Sequence, residues 1–202
     1  MFTPIKTYIE ELNVSSVSES RKEVLNPLKD YISSKISSSQ EIHLSFICTH
    51  NSRRSQLGQV WSQVMAAYFQ VPNVMTYSGG TEATAVFVAI IDTLKKQHFQ
   101  VELVDETDNP VYSVAYSEDD ASYLFSKKVE DSSNPEEGFA AIMTCSQADE
   151  DCPVISGAEK RFSIPYEDPK TSDGTDSQHE TYMQCSIQIA IEMKYVFSEM
   201  QA

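Results

Sequence analysis

Apolar residues recur along this 202-residue chain with two different periods, and the change between them marks its organisation. Over the first 40 residues the spacing is helical: Ile5, Tyr8, Ile9 and Leu12 fall on one face, and Leu25, Leu28, Ile32 and Ile36 repeat it after a serine-rich break at 15–20. Ser37-Ser38-Ser39-Gln40 closes this appended helical layer. From His43 the order becomes strands alternating with helices. Strands are expected over 43–48, 74–78, 100–104 and 139–144, and helices over 54–70, 83–98 and 179–200. Such alternation favours a parallel α/β sheet. Leu57, Val60, Trp61, Val64, Met65 and Tyr68 line one face of the helix over 54–70, and Tyr182, Cys185, Ile189, Met193, Val196 and Met200 do so in the last helix. Cys185 is thereby assigned to the core. Residues 107–136 are acidic, rich in Ser and Asn, and dotted with Tyr112, Tyr116, Tyr123 and Phe125 without a clean period. They read as an excursion, a hairpin followed by a short helix.

Composition narrows the class. A hydrophobic content of 41% is enough for one sizeable core. The net charge of -15, from 30 acidic and 15 basic residues, has the wrong sign for nucleic acid or an anionic membrane as main partner. The N-terminus carries Glu10 and Glu11 and lacks an apolar signal-peptide core, and no apolar run approaches membrane-spanning length. Four cysteines are too few and too unevenly placed for a secreted disulfide framework, which points to a reducing cytoplasm.

The chemistry concentrates in Cys48-Thr49-His50-Asn51-Ser52-Arg53-Arg54-Ser55, at the exit of the apolar run His43–Ile47. A thiol there meets the loop amides, the positive end of the following helix, Arg54, and the hydroxyls of Ser52 and Ser55. Such surroundings lower a cysteine pKa and favour its nucleophilic thiolate. The same groups hold a tetrahedral oxyanion, for which the planar fork of Arg54 suits two oxygens as lysine would not. Asn51 tolerates left-handed backbone and shapes the loop. His50 and Arg53 add positive charge to it. The plain alternative is a buried thiol ending a strand, with a surface arginine beyond.

Two further features leave alternatives open. Cys145 and Cys152 stand seven apart, two helical turns, so in a helix their sulfurs share a side but lie too far apart to bond without unwinding. They are a redox pair, unrelated cysteines, or half of a metal site; no other C-x2-C or histidine cluster supports metal. His43, His98 and His179 read as surface or satisfied histidines. Asp168-Pro169 sets a carboxylate at a turn, either as turn initiator alone or as the acid that protonates a departing oxygen.

Together these elements resemble the low-molecular-weight protein tyrosine phosphatase superfamily, most closely its thioredoxin-coupled arsenate reductases, over about residues 42–200. The Cys48–Ser55 stretch is similar to the family's C-x5-R-S loop, Asp168-Pro169 to its acid turn, Tyr77–Glu82 to the end of its second strand, and Cys145–Pro153 to the Cys-x6-Cys-Pro of its reductases. The resemblance implies a three-layer, doubly wound α/β domain with a four-stranded parallel sheet over 41–202, behind a helical extension over 1–40. It implies an oxyanion site of Thr49, His50, Asn51, Ser52, Arg53 and Arg54, with Ser55 beside the nucleophile. It further implies a relay in which Cys48 attacks arsenate, Asp168 protonates the leaving oxygen, and Cys145 and then Cys152 carry the disulfide to a thioredoxin-like reductant, with no cofactor. Plain phosphatases of the family lack the Cys145/Cys152 pair and hydrolyse phosphotyrosine or small phosphoesters through a Cys48 phosphoenzyme, which is the alternative activity. Gln59 stands where cation-binding reductases tend to have Glu, so no potassium site is expected.

Overall fold

The computed structural model describes residues 1–151 and 154–200. Its centre is the strand β1 (Ile42–Cys48), which pairs in parallel with β2 (Val74–Gly80) on one side and β6 (Phe139–Met143) on the other. β6 in turn pairs in parallel with β7 (Ala158–Ser163), giving the order β2-β1-β6-β7. Strands covered on both faces read as nearly continuous apolar runs, and β1 and β6 do. Leu44 and Phe46 face the larger core with Leu57, Val60 and Trp61 of α3 (Arg54–Tyr68) and Ile189 and Met193 of α6 (Gln178–Ser198). Ile47 and Cys48 belong to a smaller cluster on the other side, with Met143, Cys145 and Ala148 of α5 (Ser146–Asp151). The expected α/β architecture, a four-stranded parallel sheet between helices, is thus present.

Helix α3 lies unusually close to the sheet. A Cβ at Gly58 would meet Phe46 at 2.4 Å, so the helix that presents Arg54 is pressed onto the strand that presents Cys48. The amino-terminal helices α1 (Thr3–Glu11) and α2 (Glu19–Ser37) form on either side of the expected break, where Ser18 caps α2 by accepting from the Arg21 amide at 3.2 Å. Ile5, Ile9, Leu25, Leu28 and Ile32 are fully buried in the same cluster as the α3 and α6 residues. A buried polar chain reinforces the junction: Trp61 Nε1 donates to Ser186 Oγ (2.9 Å), Ser186 to Gln97 Oε1 (2.7 Å), and Gln97 Nε2 to Tyr8 (2.8 Å).

Three expectations are corrected. The strand near 100–104 exists as β3 (Gln100–Asp105) but stays out of the parallel sheet; it pairs antiparallel with β4 (Val111–Ala115), which pairs with β5 (Ala121–Leu124). A short turn suffices for antiparallel pairing, whereas joining the parallel sheet needs a crossover. The fourth parallel strand is β7, whose exposed Lys160 and half-exposed Arg161 suit an edge and hid it from an apolar reading. The short helix expected in 107–136 is absent, replaced by β4, β5 and loops. Helix α4 spans only Val88–Lys96 instead of 83–98, because residues 84–87 are pinned to neighbouring loops: the Thr84 amide donates to Ser126 Oγ (2.8 Å), Ser52 Oγ to the Ala85 carbonyl (2.6 Å), and the Phe87 amide to the Ser52 carbonyl (3.1 Å). Among the described residues no helix is long and apolar enough to cross a membrane.

Candidate active site

β1 delivers Cys48 to the carboxyl edge of the sheet, and residues 49–53 turn the chain into α3. The outward-facing side of that loop is fully used. The Cys48 carbonyl accepts from the Thr81 amide (3.3 Å), Thr49 from the Glu82 amide (2.9 Å), His50 from Ser126 Oγ (2.9 Å), Asn51 from Gln56 Nε2 (2.8 Å) and Ser52 from the Phe87 amide (3.1 Å). Among the described residues no protein group accepts from the amides of 49–53. With trans peptides, each of these amides points opposite to the carbonyl before it, away from the groups that hold those carbonyls. An array of that kind, continued by the amino end of α3, is an anion nest.

Asn51 holds the bend. Its φ of +46° is left-handed, and its fully buried side chain bridges two elements, accepting from the Lys127 amide and donating to Ser55 Oγ, both at 2.9 Å. Ser55 Oγ lies 3.1 Å from Cys48 Sγ. The amide of Asn51 fills one acceptor site of that hydroxyl, which holds the serine in hydrogen-bonding reach of the sulfur. Gly80 closes the loop from β2: a Cβ there would meet the Glu82, Thr49 and Asn51 backbones at 2.4, 2.7 and 2.8 Å.

Arg54 reaches from the start of α3 to the Asp168 turn. Nη2 donates to Asp168 Oδ2 at 2.5 Å and Nη1 to the Tyr166 carbonyl at 3.0 Å, while Nε is buried without a partner among the described residues. An incoming oxyanion suits that unsatisfied donor. The other Asp168 oxygen accepts from the Lys170 amide (3.0 Å), capping a short 3-10 turn at Pro169–Ser172. Turn initiator and carboxylate facing the site are therefore two oxygens of one residue.

Cys145 sits at the end of β6, buried, with Sγ accepting from the Ala148 amide at 3.3 Å and lying 3.6 Å from Thr49 Oγ1. It shares the smaller buried cluster with Cys48, and both thiols are free. Arg54, Cys145, Tyr166, Asp168 and Gln188 line one cleft of about 550 Å³. Cys152 and Pro153 lie outside the described residues.

Two side chains of the loop behave otherwise than expected. The Arg53 guanidinium turns away to α6, donating to Tyr182 (2.6 Å) and Asp173 (2.7 Å) and stacking 4.1 Å from the centre of the Phe87 ring. Its charge is neutralised there and only its backbone belongs to the loop. Ser52 Oγ is committed to the Ala85 carbonyl, leaving Ser55 as the hydroxyl at the sulfur. His50 is half-buried, with Nε2 at 3.5 Å from Glu82. Burial pushes the Cys185 thiol up to about 12, consistent with a core role.

Sequence reasoning missed Gln56, Tyr166, Ser126 and Lys127. Gln56 is fully buried and also donates to the Phe125 carbonyl at 2.9 Å, tying the loop to the excursion. The one available signal was Lys127-Lys128, a basic pair within an acidic segment. Lys127 is buried against the Phe125 ring (4.2 Å to its centre), and burial lowers its pKa to about 8.

No protein-family model matches the chain. Over 125 residues it is 27% identical to a Staphylococcus epidermidis protein named arsenate reductase 2, covering 61% of this chain and 76% of that one. Among solved structures, a low-molecular-weight protein tyrosine phosphatase from T. tengcongensis superposes with a TM-score of 0.54 at 15% identity, covering 79% of this chain and 99% of that one. An arsenate reductase in its phosphate-binding state does so with a TM-score of 0.51 at 16% identity, again covering 79% and 99%. The resemblance to the low-molecular-weight phosphatase superfamily read from the motifs is borne out, and the chain has that fold.

Proposed function

We propose that this chain, built on the low-molecular-weight phosphatase fold, is an arsenate reductase working through serial thiols. The observation that carries the reading is the second buried thiol: Cys145 lies against the oxyanion loop at Thr49 and lines the same cleft as Arg54 and Asp168. A hydrolase needs one thiol at this place; a reductase needs two.

Cys48 Sγ attacks arsenic(V), forming an S–As bond as one arsenate oxygen departs with a proton from Asp168. The loop amides and Arg54 hold the remaining oxygens, for which Arg54 exchanges its contact with Asp168 for the anion. Cys145 Sγ then attacks Cys48 Sγ. An S–S bond forms, the S–As bond breaks, and its electron pair stays on arsenic, which leaves as arsenite. Cys152 attacks Cys145, releasing Cys48 and forming a Cys145–Cys152 disulfide that a thioredoxin-like dithiol reduces. The similarity to proteins named arsenate reductases supports this choice of substrate. The competing activity is hydrolysis of a phosphoester through a Cys48 phosphoenzyme.

The test compares arsenate turnover, coupled to thioredoxin, with aryl phosphate hydrolysis. Cys48→Ser is expected to abolish both. Cys145→Ser and Cys152→Ser are expected to abolish arsenate turnover while sparing hydrolysis. Arsenate turnover that survives in either of the last two variants rejects the relay.

A further inference from the structure

The half-buried arginines outside the reaction cleft each meet a carboxylate: Arg21 meets Glu192, Arg53 meets Asp173, and Arg161 meets Asp149. Lys127 is more deeply buried, only 5% exposed, and among the described residues its ammonium has no hydrogen bond and no ion pair. It lies over the Phe125 ring, 4.2 Å from the centre. Asp131 acts on it only from a distance, and Asp131 Oδ1 is already taken by the Ser133 amide (3.0 Å) and hydroxyl (2.7 Å). Withdrawing an ammonium from water without a partner is costly. The pKa of about 8 registers that cost and still leaves the amine mostly protonated at neutral pH.

Open space adjoins this unpaired cation. Lys127 and Phe125 line a cavity of about 400 Å³ together with Tyr77, Tyr116 and Tyr123, a volume in the range of pockets that hold small organic ligands. Gln59 is in the same wall, with Oε1 buried and unpartnered among the described residues. An anion would offset the charge of Lys127, but the exposed carboxylates of Asp119 and Asp120 line the cavity too and repel a dianion more than a monoanion. That favours a carboxylate over a phosphate. The three tyrosine rings and Phe125 supply flat apolar surface for an aromatic body.

We propose that this cavity is an effector site for a small aromatic monocarboxylate, whose carboxylate pairs with Lys127 and whose ring packs among the tyrosines. Its action on the oxyanion loop follows from the backbone of the same residue. The Lys127 amide donates to Asn51 Oδ1 and the Lys127 carbonyl accepts from the Gly80 amide, both at 2.9 Å. A ligand that fixes the Lys127 side chain therefore steadies the segment to which Asn51, and through it Ser55 beside Cys48, is tied.

Calorimetric titration of the full chain with benzoate, and with benzamide as the uncharged isostere, tests this. Benzoate is expected to bind about 10- to 100-fold more tightly than benzamide, the range set by one hydrogen bond to a charged group. Lys127→Met is expected to remove that preference, and Tyr123→Ala, at an exposed ring, to weaken both ligands alike. Because the nest at Arg54 also attracts carboxylates, the titration is repeated in saturating inorganic phosphate. Benzoate that phosphate displaces is bound over Cys48, which overturns the cavity site. Absence of binding, absence of a preference for benzoate, a preference that survives Lys127→Met, or unchanged affinity in Tyr123→Ala overturns it as well. Alkylation of Cys48 by iodoacetamide is expected to slow with the same dependence on benzoate concentration; an unchanged rate at saturation overturns the action on the loop. Arsenate turnover is scored separately, since its absence in the wild type rejects the reductase reading and leaves this site standing.

Discussion

Asn51 is the residue on which loop shape and thiol environment both depend, and replacing it with alanine has a calculable cost. The Lys127 amide loses its buried acceptor, which costs about 1–3 kcal/mol, and the bond to Ser55 is worth about 1 kcal/mol more. Alanine at a φ of +46° adds about 1 kcal/mol of left-handed strain that asparagine relieves locally. The total is roughly 3–5 kcal/mol, a large part of the stability of an ordinary domain. For a chain of this size Tm is expected to fall by about 10–15 °C. Asn51→Gly removes the strain but not the lost bonds, so it is expected to recover about 1 kcal/mol. Asn51→Asp keeps the acceptor for Lys127 and loses the donor to Ser55, so it is expected to be the most stable of the three while still slowing Cys48. Urea unfolding gives the stability order, and iodoacetamide alkylation of Cys48 reports the environment of the sulfur. An alanine variant within 1 kcal/mol of wild type, or one indistinguishable from glycine, refutes the reasoning, as does unchanged alkylation in all three.

Two further outcomes test other parts of the site. Burial lowers the Lys127 pKa from 10.5 to about 8, only partly offset by Asp131, so between those values the unfolded chain binds the proton and the folded chain does not. Stability is therefore expected to rise with pH from about 8 to 10.5 and to carry the full penalty below 8; Lys127→Met should flatten that rise and stabilise the protein at pH 7 by up to about 3 kcal/mol, read by urea melts across the range. Gly80→Ala drives a Cβ into the Thr49 and Glu82 carbonyls, and since both are backbone the loop itself must shift. Its kcat/KM for arsenate or an aryl phosphate is expected to fall at least about tenfold, because displaced oxyanion donors of this kind cost about that much or more; unchanged kinetics show that β2 does not set the loop.

Much of the site was legible because it is contiguous in sequence. A strand, a short loop and an amphipathic helix fix Cys48, Arg54 and Ser55 relative to one another by local geometry alone, and the alternating periods give the α/β class. The spacing of Cys145 and Cys152 and the Asp168-Pro169 pair stood out as chemistry without a location. What sequence could not supply was which distant groups meet the loop. Arg53 and Arg54 are adjacent and chemically identical, yet one turns to Asp173 and the other to Asp168, a choice made by the packing of α6 and the turn before it. Ser52 and Ser55 divide in the same way, one bound by the segment before α4 and the other by Asn51. The place of β3 was likewise undecidable from its pattern, since an exposed strand follows whichever partner the chain offers.

By itself, then, the sequence determined the strand-loop-helix that carries Cys48 and Arg54 and the class of the sheet, since each depends on residues within a few positions or one period of each other. Only the tertiary structure decided that Cys145 meets the loop at Thr49, that Asp168 meets Arg54, and that a lysine from the acidic excursion braces the loop. Those contacts join residues about 75 to 115 positions apart, and long-range packing and burial select them where no local spacing encodes them.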